Sequence, residues 1–195
     1  KNPTRELIMK SIIKSEFSEH LKIAQSTLEC IAEPLEITVN ICINSIKNGG
    51  KILIFGNGGS AADAQHIAAE MIGRYKLERK GFPAIALTTD TSVLTSIGND
   101  YSYEMVFERQ VEALANKGDV VIAISTGGNS TNVIRALILA NSLDCKTVGF
   151  SGRGGGKMND LCNVNLVVPA EDTPRIQEMH ILIGHTICHL IETNI

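Results

Sequence analysis

The chain has 195 residues, 44% of them hydrophobic and 20% charged, which is enough for one domain with a full hydrophobic core. A net charge of −3 without a cluster of basic residues argues against a nucleic-acid partner. No apolar run approaches the roughly 20 residues that span a bilayer, no signal-peptide pattern opens the chain, and its five cysteines form no C-x-x-C pair, so we expect a cytoplasmic protein without a membrane partner.

Residues 4–48 carry apolar side chains at three- and four-residue spacing, which is typical of amphipathic helices. Pro34 predicts the start of a second helix, and Gly49-Gly50 predicts its end. The β-branched content of residues 37–46 leaves a strand open as an alternative. Two amphipathic helices ahead of the first strand need a surface to cover, so we expect residues 1–48 to contact another subunit.

The rest of the chain alternates between short apolar runs and helix-like stretches. Predicted strands span residues 51–56, 83–88, 119–125, 146–151 and 163–168, and predicted helices span 60–74, 103–116, 131–142 and about 174–194. This alternation indicates right-handed crossovers and a parallel sheet that is covered on both faces. We predict a single α/β domain over residues 1–195. Its core, residues 49–195, is a three-layer, doubly wound, five-stranded parallel sheet, and residues 1–48 form an N-terminal helical extension.

The loop after the first predicted strand reads Gly56-Asn57-Gly58-Gly59-Ser60-Ala61 and opens a helix. Glycines let the backbone approach a ligand, and the amides of a helix N-terminus favour an anion. The run also fits the dinucleotide fingerprint G-x-G-x-x-G/A, but the acidic residue expected about 20 positions later is missing, because Asp90 comes more than ten residues too late. A merely structural turn remains the other alternative.

The loop after the third predicted strand reads Ser125-Thr126-Gly127-Gly128-Asn129-Ser130 and also opens a helix. Hydroxyls and free amides that converge at one helix start suit a phosphate monoester. An ordinary capped turn is the alternative, although two such loops in one sheet make it harder to sustain.

Two further glycine-containing stretches carry less information. Residues 98–101, Gly-Asn-Asp-Tyr, predict a turn of low specificity. Residues 152–158 invite a Walker A interpretation, which fails because the first glycine is one position too close and Met158 follows the lysine where Ser or Thr should bind magnesium. We predict a flexible loop there.

The predicted helix after the first loop carries His66 and Glu70, whose four-residue spacing puts both side chains on one face. Such a pair can bind a metal ion or hold a carboxylate base beside an imidazole. A surface pair is the commoner explanation, but the alanine-rich neighbours predict a position near the core or in a cleft.

The last predicted helix carries Gln177, His180, His185 and His189 in an otherwise apolar run. Gln177 and His185 lie about 80° and 12 Å apart on an ideal helix, so one helix would struggle to offer both to a single metal ion. A neighbouring subunit would relieve that problem. For each histidine, a hydrogen-bonded role in the core remains an alternative.

Four ordered motifs, residues 56–70, 88–101, 125–137 and 173–185, resemble the phosphoheptose isomerases of the sugar isomerase (SIS) fold. The resemblance runs from about residue 35 to the C-terminus and implies a SIS, flavodoxin-like sheet. It implies a cytoplasmic enzyme that converts a phosphorylated seven-carbon sugar, sedoheptulose 7-phosphate, to D-glycero-D-manno-heptose 7-phosphate through an enediol. This reaction is the first step of nucleotide-activated heptose synthesis for lipopolysaccharide or capsule. The resemblance also implies a homo-oligomer, usually a tetramer, with shared active sites and one zinc per subunit.

The resemblance also assigns site residues to this chain. The implied catalytic pair is Glu70 and His185. The implied zinc ligands are His66, Glu70, Gln177 and His185. The implied substrate contacts are Asn57, Gly58, Gly59, Ser60, Glu70, Asn99, Asp100, Ser125, Thr126, Gly127, Ser130 and Gln177.

One position departs from the pattern of the family, and one other class of protein shares its fold. The third residue of the phosphate loop is usually serine, and Gly127 stands there, which predicts substrate binding weaker by about 0.5–1.5 kcal/mol if that hydroxyl bonds the phosphate. The alternative function is that of the non-catalytic SIS proteins, which bind a sugar phosphate or a replication initiator. Those proteins tend to lose the reaction-centre side chains, so Glu70 and His185 favour the enzyme.

Overall fold

The computed structural model describes the backbone of residues 3–195 and the side chains from residue 5 onward. The first two residues of the predicted extension lie outside the described residues. Within this range, the strands are β1 (Ile52–Gly56), β2 (Ala84–Ala86), β3 (Val120–Ile124), β4 (Lys146–Ser151) and β5 (Val164–Val167). They form one parallel sheet in the order β2-β1-β3-β4-β5, which confirms the predicted strands and fold class. Every residue of β1 and β3 is buried, as expected for strands that are covered on both faces.

Helices cover both faces of this sheet. The helices are α1 (Pro3–Lys47), α2 (Gly59–Ile72), α3 (Thr91–Asp100), α4 (Glu108–Leu114), α5 (Thr131–Ser142), α6 (Met158–Leu161) and α7 (Thr173–Asn194). Helices α1, α2 and α7 enclose one hydrophobic core, which contains Ile43, Ile67 and Ile183. Helices α3 to α6 enclose the other. The predicted three layers are therefore present, and among the described helices none is both long and apolar enough to cross a bilayer.

Residues 3–47 form one helix, so the predicted break at Pro34 is wrong. A proline inside a helix costs about 3 kcal/mol because it removes one hydrogen bond and crowds the preceding turn. Ile31 and Leu35, on either side of Pro34, are both buried in the core that α1 shares with α7, and this packing outweighs that cost. The predicted helix end is confirmed, since α1 stops at Lys47 and Gly49 has a φ of 82°.

The two halves of α1 face different surroundings. Its second half is buried at Ile31, Leu35, Val39 and Ile43. Its first half carries an apolar stripe that is exposed in the single subunit, formed by Leu7, Phe17, Leu21 and Leu28, each at least 62% exposed. Patches of this kind are typical of surfaces that bind another protein.

The turn predicted at residues 98–101 is wrong, because Gly98, Asn99 and Asp100 belong to helix α3. Asp90 caps this helix by accepting a hydrogen bond from the backbone N–H of Val93 at 3.0 Å. The Thr and Ser content of α3 obscures a helical pattern, because such residues favour caps and turns over helix interiors. The helix predicted over 103–116 is shorter, since α4 begins at Glu108 after a single 3-10 turn.

Candidate active site

The two predicted ligand loops meet where the strand order reverses, between β1 and β3. Open parallel sheets bind ligands at this point, outside the carboxyl ends of the strands. Asn57 of the first loop and Asn132 in the first turn of α5 (Thr131–Ser142), which follows the second loop, form a reciprocal pair of amide hydrogen bonds, each 2.9 Å long. The hydroxyl of Tyr103 donates to the side-chain Oδ1 of Asn57 at 3.1 Å. Sequence reasoning missed Asn132 and Tyr103, because nothing in their local pattern marks a contact made across 75 or 46 residues.

The first loop requires its glycines. Gly58 has a φ of 58°, a region that favours glycine. A Cβ added to Gly56 would lie 2.7 Å from the backbone oxygen of Ile124, so β1 and β3 approach too closely for a side chain. Gly59 begins α2, and a Cβ there would lie 2.5 Å from Gln177 Nε2. The loop therefore leaves bare backbone at the start of α2, and the side chain of Gln177 from α7 packs against it.

The second loop leaves a helix start open to an anion. The hydroxyls of Ser125 and Ser130 lie 3.0 Å apart and bond each other. Ser130 therefore does not cap α5, and no other described side chain does so. The first amides of a helix lack partners within the helix and carry partial positive charge. They are available here to an anionic ligand.

The glycine-rich residues 152–158 support this second loop, so the predicted flexible loop is wrong. The amide of Met158 donates to the Gly128 carbonyl at 3.3 Å, and the amide of Lys157 donates to Asn129 Oδ1 at 3.1 Å. Gly128 has a φ of 65°, and a Cβ on it would collide with the carbonyl oxygen of Gly155. By contrast, no described atom lies within 4 Å of a Cβ added to Gly127.

Three predicted side chains from two helices form a cluster. His66 Nε2 lies 3.2 Å from Glu70 Oε1 and 3.2 Å from His185 Nε2. Possible ligand atoms of all three residues lie within 4.8 Å of one another. Gly184 makes this approach possible, because a Cβ there would lie 2.6 Å from Ile67 Cδ1 of α2. All three residues come from one chain, so no neighbouring subunit is needed to bring His185 to Glu70.

The other predicted residues of α7 lie elsewhere. Gln177 contacts the start of α2, seven residues and roughly 10 Å along the axis before His66. His180 is fully buried, and its Nε2 lies 3.0 Å from the backbone oxygen of Ser151. Burial lowers the pKa of His180 to about 4, although that hydrogen bond opposes the shift, so the residue is a neutral core histidine.

The remaining predicted contacts lie in the loops and at the end of α3. Ser60 is buried, and its amide donates to the Asn57 carbonyl at 3.0 Å. The carbonyl of Thr126 accepts from the amide of Gly152. Asn99 and Asp100 are exposed and bond each other at 2.8 Å, three to four residues before Tyr103 reaches Asn57.

Asp63, on the first part of α2, is a titratable group that sequence reasoning missed. Partial burial raises the pKa of its carboxyl to about 6, and the nearby His66 opposes that shift. Its Oδ2 atom is buried and has no hydrogen-bond partner among the described residues. This carboxyl, beside His66 of the cluster, therefore takes up a proton at a higher pH than an exposed aspartate does.

The cluster suits a catalytic zinc ion. Two imidazole nitrogens and one carboxylate oxygen converge, which is a donor set found in catalytic zinc sites. In such sites three protein ligands leave a coordination position for water or substrate. The side chains of His66 and Glu70 are 47% and 25% exposed, so a small molecule can reach them.

The chain is a doubly wound α/β protein, with an uncapped helix start at the point where the strand order reverses, which is where proteins of this class bind ligands. Residues 17–152 match the SIS domain family. The phosphoheptose isomerase of Aliarcobacter butzleri is 63% identical over 96% of this chain and 99% of that protein. Solved structures of phosphoheptose isomerases from Neisseria gonorrhoeae and Francisella tularensis have TM-scores of 0.91 and 0.92, at 44% and 32% identity. Each of these two structural matches covers 95% of this chain and 99% of the solved chain. The chain belongs to the phosphoheptose isomerase family of SIS domain proteins.

Proposed function

We propose that this protein is an aldose–ketose isomerase that converts sedoheptulose 7-phosphate to D-glycero-D-manno-heptose 7-phosphate. The reaction is the first step of nucleotide-activated heptose synthesis for lipopolysaccharide or capsule. The observation that carries the proposal is the convergence of His66, Glu70 and His185, in a chain whose relatives over almost its full length are phosphoheptose isomerases.

The phosphate end of the substrate binds at the start of α5. The amides there, with the hydroxyls of Ser125, Thr126 and Ser130, offer donors to a dianionic group. Asn57, Gly58 and Gly59 line the neighbouring loop at the same edge of the sheet. Holding the phosphate fixes the position of the sugar relative to the cluster, and such positioning is a large part of catalysis.

The isomerisation takes place at Glu70 and His185. Glu70 removes a proton from C1, next to the C2 carbonyl, while the carbonyl oxygen takes up a proton, which gives the enediol. Glu70 then returns a proton to C2 as the C1 hydroxyl loses its proton and becomes the aldehyde. His185, within the same cluster, exchanges protons with the substrate oxygens. A zinc ion held by His66, Glu70 and His185 would act as a Lewis acid on those oxygens, whereas the side chain of Gln177 lies at the start of α2, away from these three ligands. A carboxylate bound to zinc is a weaker base, so the exposed side of Glu70 must stay free for the substrate.

The non-catalytic alternative is not favoured. A protein that only binds a sugar phosphate has no need for a carboxylate and two imidazoles within 4.8 Å of one another. The high identity to phosphoheptose isomerases also argues for the enzyme.

Incubation of the purified protein with sedoheptulose 7-phosphate tests the function and the metal together. We expect aldose product to form, to stop after treatment with a strong chelator, and to return when zinc is restored. The product can be followed by NMR of the anomeric proton. Absence of product from a folded, zinc-loaded protein would contradict the function, whereas undiminished turnover after verified zinc removal would contradict the metal.

We further propose that the protein works in the cytoplasm as a homotetramer, with neighbouring subunits close to each active site. The apolar stripe of α1 supports an assembly, because covering it would remove several large side chains from water. Phe17→Lys should then lower the mass in solution, as measured by light scattering. Ser15→Lys is the control, because it adds the same charge at an exposed polar position of the same helix. An unchanged oligomer in Phe17→Lys would contradict the role of the stripe.

A further inference from the structure

The segment that follows α2 is held by a buried carboxylate of α7. The side chain of Glu192 is 0% exposed. It accepts hydrogen bonds from three successive backbone amides, those of Tyr75 at 3.3 Å, Lys76 at 2.8 Å and Leu77 at 3.1 Å. Burial alone would raise the pKa of Glu192, but these amides and the nearby Arg79 guanidinium outweigh it and lower the pKa below its ordinary value. Glu192 is therefore a charged anchor for residues 75–77.

Arg79 ties the same segment to the end of α2. Its guanidinium donates to the backbone oxygens of Glu70 at 2.9 Å and Met71 at 2.8 Å. It also lies 3.5 Å from Glu192 and packs over the Phe82 ring at 3.9 Å. The helix end that carries Glu70 is thus joined, through Arg79 and Glu192, to the helix that carries His185.

Between these two anchors, the ring of Tyr75 packs against the cluster. It stacks on the imidazole of His185, with ring centroids 5.4 Å apart and planes 28° apart. The imidazole of His185 also makes an edge-to-face contact with that of His66, with ring centroids 4.8 Å apart and ring planes 78° apart. The imidazole of His185 is therefore held between a stacked ring and an edge-on ring, two geometries that aromatic pairs prefer.

We propose that Tyr75 is a positioning residue of the active site, which fixes the imidazole plane of His185 so that Nε2 faces His66 and Glu70. Glu192 and Arg79 hold Tyr75 in place for this role. The inference rests on the proposed function for its kinetic consequence, but its geometric part concerns the cluster alone. Partners outside the ligand set typically change metal affinity or activity by 10–100-fold when they are removed.

The test compares Tyr75→Ala, Tyr75→Phe and a control, Glu78→Gln, in which a carboxylate of the same segment that is 91% exposed is neutralised. Zinc affinity of the metal-free full-length proteins is measured by competition with a chromophoric chelator, and kcat and KM are measured with sedoheptulose 7-phosphate. We expect Tyr75→Ala to lose about tenfold in zinc affinity and in kcat, with KM within about twofold. Tyr75→Phe and Glu78→Gln should match the wild type.

Circular dichroism establishes that each variant is folded, and Tyr75→Leu takes the place of Tyr75→Ala if the latter is not. Wild-type zinc affinity and kcat in the folded variant would overturn the positioning role. An equal loss in Tyr75→Phe would also overturn it, since the hydroxyl rather than the stacked ring would then matter. If the wild type binds zinc but has no turnover, the proposed function fails and the zinc competition still decides the role of Tyr75. If the wild type neither binds zinc nor turns over sedoheptulose 7-phosphate, both the proposed function and the positioning role of Tyr75 are overturned.

Discussion

Glu70→Gln should reduce turnover of sedoheptulose 7-phosphate by roughly 10²–10⁴-fold, the usual contribution of a general base. The amide keeps the size of the side chain but cannot accept the substrate proton. The loop at the start of α5 is separate from this side chain, so phosphate binding should be nearly unchanged. Both quantities are measured at saturating zinc, turnover by product formation and binding by calorimetry with inorganic phosphate.

A matched control for this variant is Glu112→Gln. Glu112 lies on α4, more than half exposed and paired with Arg109, so neutralising it tests the loss of one carboxylate away from the cluster. Wild-type turnover is expected for the control. Full activity in Glu70→Gln would remove this residue from the proposed chemistry, and an equal loss in both variants would point to a general effect of charge.

Gly128→Ala should raise KM by about tenfold or more, because it deforms the second loop. An alanine at a φ of 65° is strained by about 1–3 kcal/mol, and its Cβ would collide with the Gly155 carbonyl. Relief requires the loop to move away from residues 152–158, which shifts the amides that receive the phosphate. A loss of 1.4 kcal/mol in binding corresponds to a factor of ten.

The neighbouring glycine gives the opposite expectation. A side chain at Gly127 meets no described atom within 4 Å, so Gly127→Ser fits without movement. It restores the hydroxyl that is usual in the family, and a hydrogen bond worth about 0.5–1.5 kcal/mol should lower KM by about two- to tenfold. Kinetics of the two variants side by side check both expectations. A similar change in KM for both would show that the loop does not hold the phosphate in this way.

Local patterns were sufficient for the sheet and for most of the elements that carry the candidate site. The strands are short apolar runs because both faces are covered, and this signal lies within a few residues of sequence. His66 and Glu70 were recognisable because a four-residue spacing fixes their common face. The assignment of His185 came from the family resemblance, and the structure adds that α7 brings it to the same cluster within one chain.

The misinterpreted features depend on contacts between distant parts of the chain. Pro34 has the local signature of a helix start, and only the burial of its neighbours Ile31 and Leu35 in the core shared with α7 explains why the helix continues. Residues 152–158 have the composition of a flexible loop, but the Gly155 carbonyl packs against Gly128, where a side chain would collide with it. Tyr75 carries no motif, and its place beside His185 depends on Glu192, 117 residues later.

The two halves of α1 have different roles, because the first half exposes apolar side chains and the second half buries them in the core. Changes at the exposed apolar positions up to Leu28 alter the surface of the subunit, whereas changes at buried positions such as Ile31 and Leu35 alter the interior on which folding depends. Substitutions at those exposed positions would therefore change how the subunits of the proposed assembly meet, while the scaffold of the candidate site stays intact.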